Sequence, residues 1–245
     1  LDKSISLLKN ISLKKILIKM FDEAVSISHP ANLMSKCIPN KQPSGKTVVI
    51  GAGKASAEMA RAFEIAWKKK GYNDLNGIVI TRYGHKRKCE NIKIIEASHP
   101  TPDKAGLEAT SDIINLIKPL KKEDLLVVLI SGGGSSLLVS PLKNISLDEK
   151  QDLTHDLLRC GATISEINSV RKHLSNVKGG KLASFAYPAK IITLAISDVP
   201  GDHFGVIASG PTYPDSTSNK DALDAVSYTH LRAHETPEHR VLRSQ

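Results

Sequence analysis

The sequence lacks several features that mark particular classes of protein. Aromatic residues make up only 4% of it, too few for the stacking platforms that bind single-stranded nucleic acid. No apolar run approaches the roughly 20 residues of a membrane-spanning helix. Cys37, Cys89 and Cys160 form no CxxC pair, which favours reduced thiols and a cytoplasmic location over disulfides or a metal site. We therefore expect neither nucleic acid nor a membrane as a partner.

The composition is typical of a globular protein. The chain has 245 residues, of which 40% are apolar and 24% charged, so it can bury a sizeable core. Its net charge of +9 fits an anionic ligand or a merely basic surface. The lysines are scattered along helical segments, which favours a solvated basic face.

The two ends of the chain break the pattern of the middle. The chain opens on Leu1 without the features of a signal peptide, which indicates a fragment. Residues 219–226 predict a helix capped by Asn219, whereas residues 227–245, "SYTHLRAHETPEHRVLRSQ", show no period of 2 or 3.6. That segment resembles a translated adapter or vector scar, although a native disordered tail is an alternative. We predict a domain over residues 1–226 and a non-native tail over 227–245.

Strands and helices alternate along the middle of the chain. Short apolar runs separated by amphipathic segments predict a mainly parallel sheet covered by helices on both faces, a three-layer Rossmann-like α/β domain. Predicted strands span 46–50, 77–81, 92–97, 125–130 and 190–196, and predicted helices span 12–27, 54–70, 103–117, 148–160 and 165–177. Ligands of such sheets bind beyond the carboxyl ends of the strands, so the loops that follow the strands are the candidate sites.

The first candidate loop is "GAGKAS", which follows the strand at 46–50. Gly51 and Gly53 would let the backbone approach a ligand closely, and Lys54 opens the next helix, where an anion would offset its conflict with the helix dipole. The spacing matches neither a Walker A loop nor a complete G-x-G-x-x-G motif. A tight turn without a ligand remains the alternative.

The second candidate loop, "SGGGSS", follows the most apolar strand. Consecutive glycines flanked by hydroxyl groups form a run of exposed amides that can hold an anion or a carboxylate. Two of the serines could instead cap the next helix, but this would not explain the glycines. The missing second glycine of G-x-S-x-G disfavours a hydrolase. The loop comprises Ser131, Gly132, Gly133, Gly134, Ser135 and Ser136.

The third candidate loop follows the strand at 190–196. Asp198 stands where a carboxylate could hold a metal ion or accept a hydroxyl proton, and capping of the following turn is its alternative role. Gly201, Asp202, Ser209 and Gly210 lie in the same loop.

A basic stretch at 167–183 precedes this strand. Arg171 and Lys172, beside Asn168, suit phosphate or carboxylate, although an ordinary basic helix would look the same. His99 follows the strand at 92–97 and could line the same rim.

These motifs together resemble the glycerate 2-kinase family of the type that has a MOFRL domain, some members of which are called hydroxypyruvate reductase. The stretches that carry the resemblance cover most of residues 48–215, and they are "GAGKAS", "SHPTPD", "SGGGSSLL", "INSVRKHLSNVKGGKLA" and "SDVPGDHFGVIASGPT". Each is weak by itself, but their order is specific.

The resemblance implies ATP- and Mg²⁺-dependent phosphorylation of the 2-hydroxyl of D-glycerate in a cleft between two domains. It places Lys54 and the loop at 131–136 against substrate and phosphate. Arg171, with Lys172, would neutralise transferred charge, and Asp198 would act near the metal or the attacking hydroxyl. The second domain of the pattern is missing after Val226, so we expect the chain to bind ligands but turn over poorly. A homodimer stays open.

Two other functions remain. An NAD(P)-dependent hydroxypyruvate reductase could use "GAGKAS" as its dinucleotide loop, but the third glycine is missing and the stretch after the next strand, "TRYGHKRK", is basic where a ribose-binding acid is expected. A module that binds anions or phosphosugars without turnover is the second alternative.

Overall fold

The computed structural model describes residues 2–233, with side chains described for residues 12–227. Five strands form one parallel sheet in the order β3-β2-β1-β4-β5. The strands are β1 (Thr47–Ala52), β2 (Leu75–Arg82), β3 (Ile92–Ala97), β4 (Leu125–Ser131) and β5 (Lys190–Ile196). The sheet confirms the predicted Rossmann-like α/β fold, because β1 and β4 lie side by side at the point where the strand order reverses.

Helices connect the strands and cover the sheet. They are α1 (Asp2–Ser28), α2 (Pro30–Leu33), α3 (Ser56–Lys69), α4 (Lys104–Ile117), α5 (Gly134–Leu137), α6 (Leu147–Arg159), α7 (Ile164–His173), α8 (Lys181–Ala186) and α9 (Asn219–Ala233). Single turns of 3₁₀-helix lie at Met34–Cys37 and Ile207–Ser209.

The two faces of the sheet have separate apolar cores. Alternate residues of β4 point to opposite faces, so Leu126 and Val128 pack with α4, α5 and α8, whereas Val127 and Leu129 pack with α3. Trp67 of α3 is 1% exposed and donates its indole N–H to the carbonyl of Asn73. Burial on both faces explains why β4 is apolar without interruption.

A third, smaller core joins α6, α7 and α9. It contains Leu157, Ile167, Val170, Ala222 and Ala225. This group of helices lies beside the sheet and brings α7, which carries Arg171, next to the loops at the strand ends.

The predicted elements are all found. Most of their ends are shifted, by ten residues at the start of α1, and three of the other shifts affect the site or the last helix. The helix predicted from Lys54 begins at Ser56, which leaves Lys54 in the loop. The helix predicted to reach residue 177 ends at His173, because the following backbone bonds to the 140–141 segment, with Asn176 N–H donating to Ser140 O at 2.9 Å.

The third difference concerns the last helix. The N-cap of α9 is Ser218 rather than Asn219, since the Ser218 hydroxyl and the Asp221 carboxylate accept hydrogen bonds from each other's backbone N–H. Helix α9 continues to Ala233, beyond the predicted boundary at residue 226. Residues 234–245 lie outside the described part of the chain, so the proposal of a non-native tail stays a prediction.

Helix α1 contains the predicted apolar stripe, and that stripe is exposed. Leu13, Leu17, Met20 and Phe21 are each more than half exposed. Among the described residues, no helix combines the length and the apolar character needed to cross a bilayer.

The carboxylate of Glu64 ties α3 to the start of β3, and its removal is a test of the fold. It is 4% exposed and accepts hydrogen bonds from the backbone N–H of Glu90 at 2.8 Å and of Asn91 at 2.6 Å. Glu64→Leu removes the charged acceptor of both amides, so we expect the free energy of unfolding to fall by about 1–3 kcal/mol. Urea denaturation measures this change.

Glu108→Leu is the matched control. The side chain of Glu108 is 66% exposed and lies 3.6 Å from Lys104, so we expect a change below about 0.5 kcal/mol. Equal losses for the two variants would contradict the assigned role of Glu64.

Candidate active site

Polar and charged side chains from several strands meet at one edge of the sheet. Because all five strands are parallel, their carboxyl ends lie together. Five groups at this edge form what we call the strand-end cluster: Lys54 after β1, Arg82 at the end of β2, His99 after β3, the glycines after β4, and Asp198 after β5. The structure therefore brings together Lys54, Asp198 and the glycine loop, as predicted from their positions after strands.

Each of the three glycines after β4 makes room for a different neighbour. A methyl group on Gly132 would overlap the carboxylate of Asp198. One on Gly133 would lie 2.7–2.8 Å from the His99 ring and 3.2 Å from Cε of Lys54, and one on Gly134 would lie 2.7 Å from the carbonyl oxygen of Ala52. Gly133 also has a φ of +84°, which side chains disfavour. The glycines are thus required for close approach.

Consecutive amides of this loop point to no acceptor within the protein. In the described part of the chain, the N–H groups of Gly132, Gly133, Gly134 and Ser135 have no hydrogen-bond partner. The carbonyl of Gly132 accepts from the N–H of Lys54 at 2.9 Å, which holds the two loops together. A run of free amides beside a lysine can bind an anion, so the geometry supports the predicted anion cradle, which stays a prediction.

Ser131 is one of the predicted ligand contacts that the structure corrects. Its side chain is 1% exposed. Its hydroxyl accepts from the N–H of Ala55 at 3.0 Å and lies 3.1 Å from the hydroxyl of Ser56, so it positions the loop that carries Lys54. Gly51 and Gly53 also act inside the protein, because side chains there would collide with Leu129 and Ser131 respectively.

Ser136 is likewise buried, and its hydroxyl donates to the carbonyl of Gly133 at 3.1 Å. It therefore stabilises the turn from within α5 and does not cap that helix, which was the alternative role of the serines, because the N-cap residue is Gly133.

The charges of the strand-end cluster act on His99. Burial lowers the pKa of His99, and the positive charges of Lys54 and Arg82 lower it further, while Asp198 opposes them. The imidazole is consequently held in its neutral form around pH 7. A neutral imidazole can donate or accept one hydrogen bond without adding charge to the site.

A second group of polar residues surrounds Ser135. The Ser135 hydroxyl lies 2.8 Å from that of Ser209, and Ser209 donates to Oδ1 of Asn168 at 3.4 Å. Ala208 and Ser209 have positive φ values of 51° and 62°, which is strained for residues other than glycine. Bonds from the N–H of Gly179 and Gly180 to the carbonyls of Ser209 and Gly210 hold this strained segment.

Lys178 holds the glycine loop in place through hydrogen bonds. The sequence motifs did not single it out as a site residue. Its side chain is completely buried, and Nζ donates to the carbonyls of Ser135 at 2.6 Å and Leu138 at 3.2 Å. Burial lowers its pKa well below the usual value, and the charges of Arg171 and Lys150 add to this effect. The position of Lys178 directly before a Gly-Gly pair was the available signal.

Arg171 lies in a cavity next to the strand-end cluster. The cavity has a volume of about 210 Å³, and Arg171, Lys150 and Ser135 are among its lining residues. Burial lowers the pKa of Arg171. No described contact joins Arg171 to Lys54 or Asp198. Lys150 was missed by the sequence analysis, although it lies on the same face of α6 as the buried Leu157.

Lys172 and Gly201 are placed apart from the strand-end cluster. Lys172 is 7% exposed and forms an ion pair with Asp215 at 3.2 Å, so its charge is already balanced. It faces a second cavity together with Asp202 and Phe204. Gly201 lies in an exposed turn with a φ of +78°, and Gly210 caps a 3₁₀ turn. None of these residues contacts Lys54 in the described structure.

The mutual influence of Lys54 and His99 can be measured directly. Lys54→Met removes a positive charge, so we expect the pKa of His99 to rise, whereas Asp198→Asn removes a negative charge and should lower it. Titration of the histidine Cε1–H signals by NMR gives both shifts. His155, on the exposed side of α6, is the internal control. A His99 pKa that neither substitution changes would contradict the placement of His99 beside Lys54 and Asp198.

Lys150 predicts a pH dependence of stability. Burial, with the charges of Arg171 and Lys181, lowers its pKa from 10.5 to about 8. Between these two values the unfolded chain binds more protons than the folded chain, so the free energy of unfolding should rise with pH, by up to about 1.4 kcal/mol per pH unit. Urea denaturation at pH 8, 9 and 10 tests this. Lys150→Met should reduce the rise, and the exposed Lys122→Met should retain it; an unchanged slope in Lys150→Met would refute the assignment.

Comparison with known proteins places this site in a family. A family model described as a domain of unknown function, DUF4147, matches residues 16–243. A D-glycerate 2-kinase of Thermotoga maritima is 39% identical over 233 residues, which are 95% of this chain and 55% of that protein. A protein of Agrobacterium vitis named "Putative hydroxypyruvate reductase" is 50% identical over 218 residues, which are 89% of this chain and 49% of that protein.

The structural comparison agrees with the sequence comparison. The crystal structure of glycerate kinase from Thermotoga maritima superposes with a TM-score of 0.82 at 40% identity, covering 93% of this chain and 53% of that one. The chain thus spans about half the length of the relatives that it matches. The matched range, the fold and the order of the motifs show that the chain belongs to the DUF4147 family, the glycerate 2-kinase family that its sequence resembles.

Proposed function

We propose that this chain forms part of an enzyme that phosphorylates D-glycerate at its 2-hydroxyl, with ATP as donor and 2-phosphoglycerate as product. The observation that carries the proposal is the strand-end cluster, where Lys54, Asp198 and four free amides converge on one spot. Phosphoryl transfer depends on positioned donors and cations more than on covalent chemistry. The names of the relatives support the same reaction.

Each residue of the strand-end cluster would have a role that follows from its charge. The free amides at 132–135 and the ammonium group of Lys54 would hold the phosphoryl group or the glycerate carboxylate. Asp198 would accept the proton of the 2-hydroxyl or hold the metal ion. His99, kept neutral, would add a hydrogen bond without adding charge. Arg171 stays a predicted contact for a negatively charged group of a ligand, and Asn168 and Ser209 would position Ser135.

The residues present fit Mg²⁺ that arrives with a nucleotide. In the described part of the chain, no three His, Cys, Asp or Glu side chains are grouped to hold a metal ion. Mg²⁺ is usually bound by one or two carboxylates together with substrate phosphates, and Asp198, exposed beside Gly132, can supply one. When bound, the ion would neutralise charge on the phosphoryl group.

The part of the relatives that this chain does not span would complete the cleft. In this proposal a second domain faces the strand-end cluster and excludes water from it. The groups on this chain would then bind the ligand before the second domain closes over it. A cytoplasmic location accompanies the proposal, and homodimer formation stays open.

A hydroxypyruvate reductase is the second candidate, favoured by the name of the Agrobacterium vitis relative. Its dinucleotide would lie across the same strand ends. Strand β2 ends in Arg82, where a ribose-binding acid is expected for NAD, so only a phosphorylated dinucleotide would suit this edge. Loss of NADPH absorbance with hydroxypyruvate would favour the reductase.

Substitution of Lys54 tests the kinase proposal. With ATP, Mg²⁺ and D-glycerate, we expect Lys54→Ala to lower kcat/KM by about 100-fold or more, since a cation that stabilises developing charge is lost. Phosphorus NMR identifies 2-phosphoglycerate. Lys69→Ala, which changes an exposed lysine at the end of α3, should retain activity.

A binding measurement accompanies the assay, because this chain spans about half the length of its relatives. D-Glycerate should shift the NMR signals of the Gly132 to Gly134 amides in the wild-type chain and should shift them less in Lys54→Ala. Wild-type turnover or unchanged binding in Lys54→Ala would remove Lys54 from the site.

A further inference from the structure

The cavity lined by Arg171, introduced above, contains buried positive charge without a counter-charge. We call it the Arg171 cavity, and its walls come from α6, α7, residues 100–102 and Ser135. Lys150, also in its wall, is 5% exposed. None of the described residues that line the cavity is acidic.

Arg171 differs from its neighbours because nothing in the described protein accepts its hydrogen bonds. Nζ of Lys150 donates to the carbonyl of Leu174 at 3.0 Å, and Nζ of Lys178 donates to two carbonyls. The guanidinium of Arg171 has neither a hydrogen-bond acceptor nor an ion pair among the described residues. Five N–H donors in a planar fork are therefore free to meet a ligand.

The surrounding charges make this arrangement costly without a ligand. The positive charges of Arg171 and Lys150 both act on Lys178, and that of Arg171 acts on Lys150. Asp215, a nearby acid, is engaged by Lys172 on the other side of α7. Lys150 is buried and Arg171 is partly buried, so an anion in the cavity would reduce both the repulsion between them and the cost of their desolvation.

The size of the cavity limits what this anion can be. A volume of about 210 Å³ is below the roughly 300–1,000 Å³ of pockets that enclose drug-sized ligands. It suits one compact group. Arg171, Lys150 and Thr101 all line the cavity, and a tetrahedral dianion offers them more oxygens than the two of a planar carboxylate.

We propose that the Arg171 cavity binds a phosphate group, with Arg171 as its bidentate partner and Lys150 as a second positive charge, at a subsite separate from Lys54. The identity of the natural ligand rests on the proposed kinase function, which offers two sources, a phosphate of the nucleotide and the phosphate of the product. Binding of the phosphate group itself requires no turnover. Ser135 lines this cavity and follows the glycine loop, so the two subsites are adjacent.

Thermal unfolding of the chain with inorganic phosphate, at constant ionic strength set with chloride, tests the proposal. Phosphate that binds only the folded chain raises Tm with concentration. We expect Arg171→Gln to weaken phosphate binding at least 10-fold, and Lys150→Met to weaken it by a smaller factor. Without phosphate, both variants should unfold at or above the wild-type Tm, because each removes a positive charge that has no acidic partner in the cavity wall.

Two further variants separate this subsite from other binding. Arg159→Gln removes an arginine of α6 whose side chain is 81% exposed, and it should bind phosphate as the original chain does. Lys54→Met should lose binding at the strand-end cluster but retain the phosphate-dependent shift of the Arg171 Nε–H signal in NMR spectra. If Arg171→Gln does not fold, Lys150→Met and this NMR signal decide the outcome.

The results distinguish the possible conclusions. Wild-type phosphate affinity in Arg171→Gln, or an Arg171 Nε–H signal that phosphate does not move, would overturn the proposal. If ADP shifts the Arg171 Nε–H signal and 2-phosphoglycerate does not, the subsite belongs to the nucleotide. The opposite result would assign the subsite to the product. Arg171-dependent binding of phosphate in a chain whose strand-end cluster does not respond to D-glycerate would leave this inference standing and contradict the kinase proposal.

Discussion

The buried amino group of Lys178 makes the hydrogen bonds on which the candidate site depends. It lies out of contact with water and donates to two carbonyls at the end of α5. Those bonds fix α5, and α5 begins within the glycine loop. The loop in turn holds the backbone of Lys54 through the carbonyl of Gly132. A single buried lysine thus helps to determine where Lys54 is presented.

Several positive charges of this protein lie where their neighbours disfavour them. Lys54 and Arg82 lower the pKa of His99 at the strand ends, while Arg171, Lys150 and Lys178 disfavour one another nearby. Lys172, by contrast, has its charge balanced by an ion pair with Asp215. Active sites commonly retain such unfavourable arrangements because an anionic substrate removes the conflict when it binds. The loss of stability in the free protein then becomes affinity for the ligand.

The fold could be predicted from sequence because its strands are apolar on both faces and its helices are amphipathic. Local patterns also placed Lys54, the glycine loop and Asp198 after three strands of a parallel sheet. These strands, β1, β4 and β5, are neighbours in the sheet, so the groups that follow them lie together. The patterns could not separate ligand contacts from internal contacts. Ser131 and Ser136 look like ligand groups beside glycines, yet both are used inside the protein. Lys150 and Lys178 look like solvated lysines, because burial of a lysine depends on partners distant in sequence.

The three glycines after β4 have a mechanical consequence. Each one touches a different part of the site: Gly132 contacts Asp198, Gly133 contacts His99 and Lys54, and Gly134 contacts Ala52 and the strained segment at Ala208. A side chain at any of the three positions would have to push one of these neighbours aside. The loop consequently keeps the side chains that follow β1, β3 and β5 within reach of one ligand, because nothing larger than a glycine separates them.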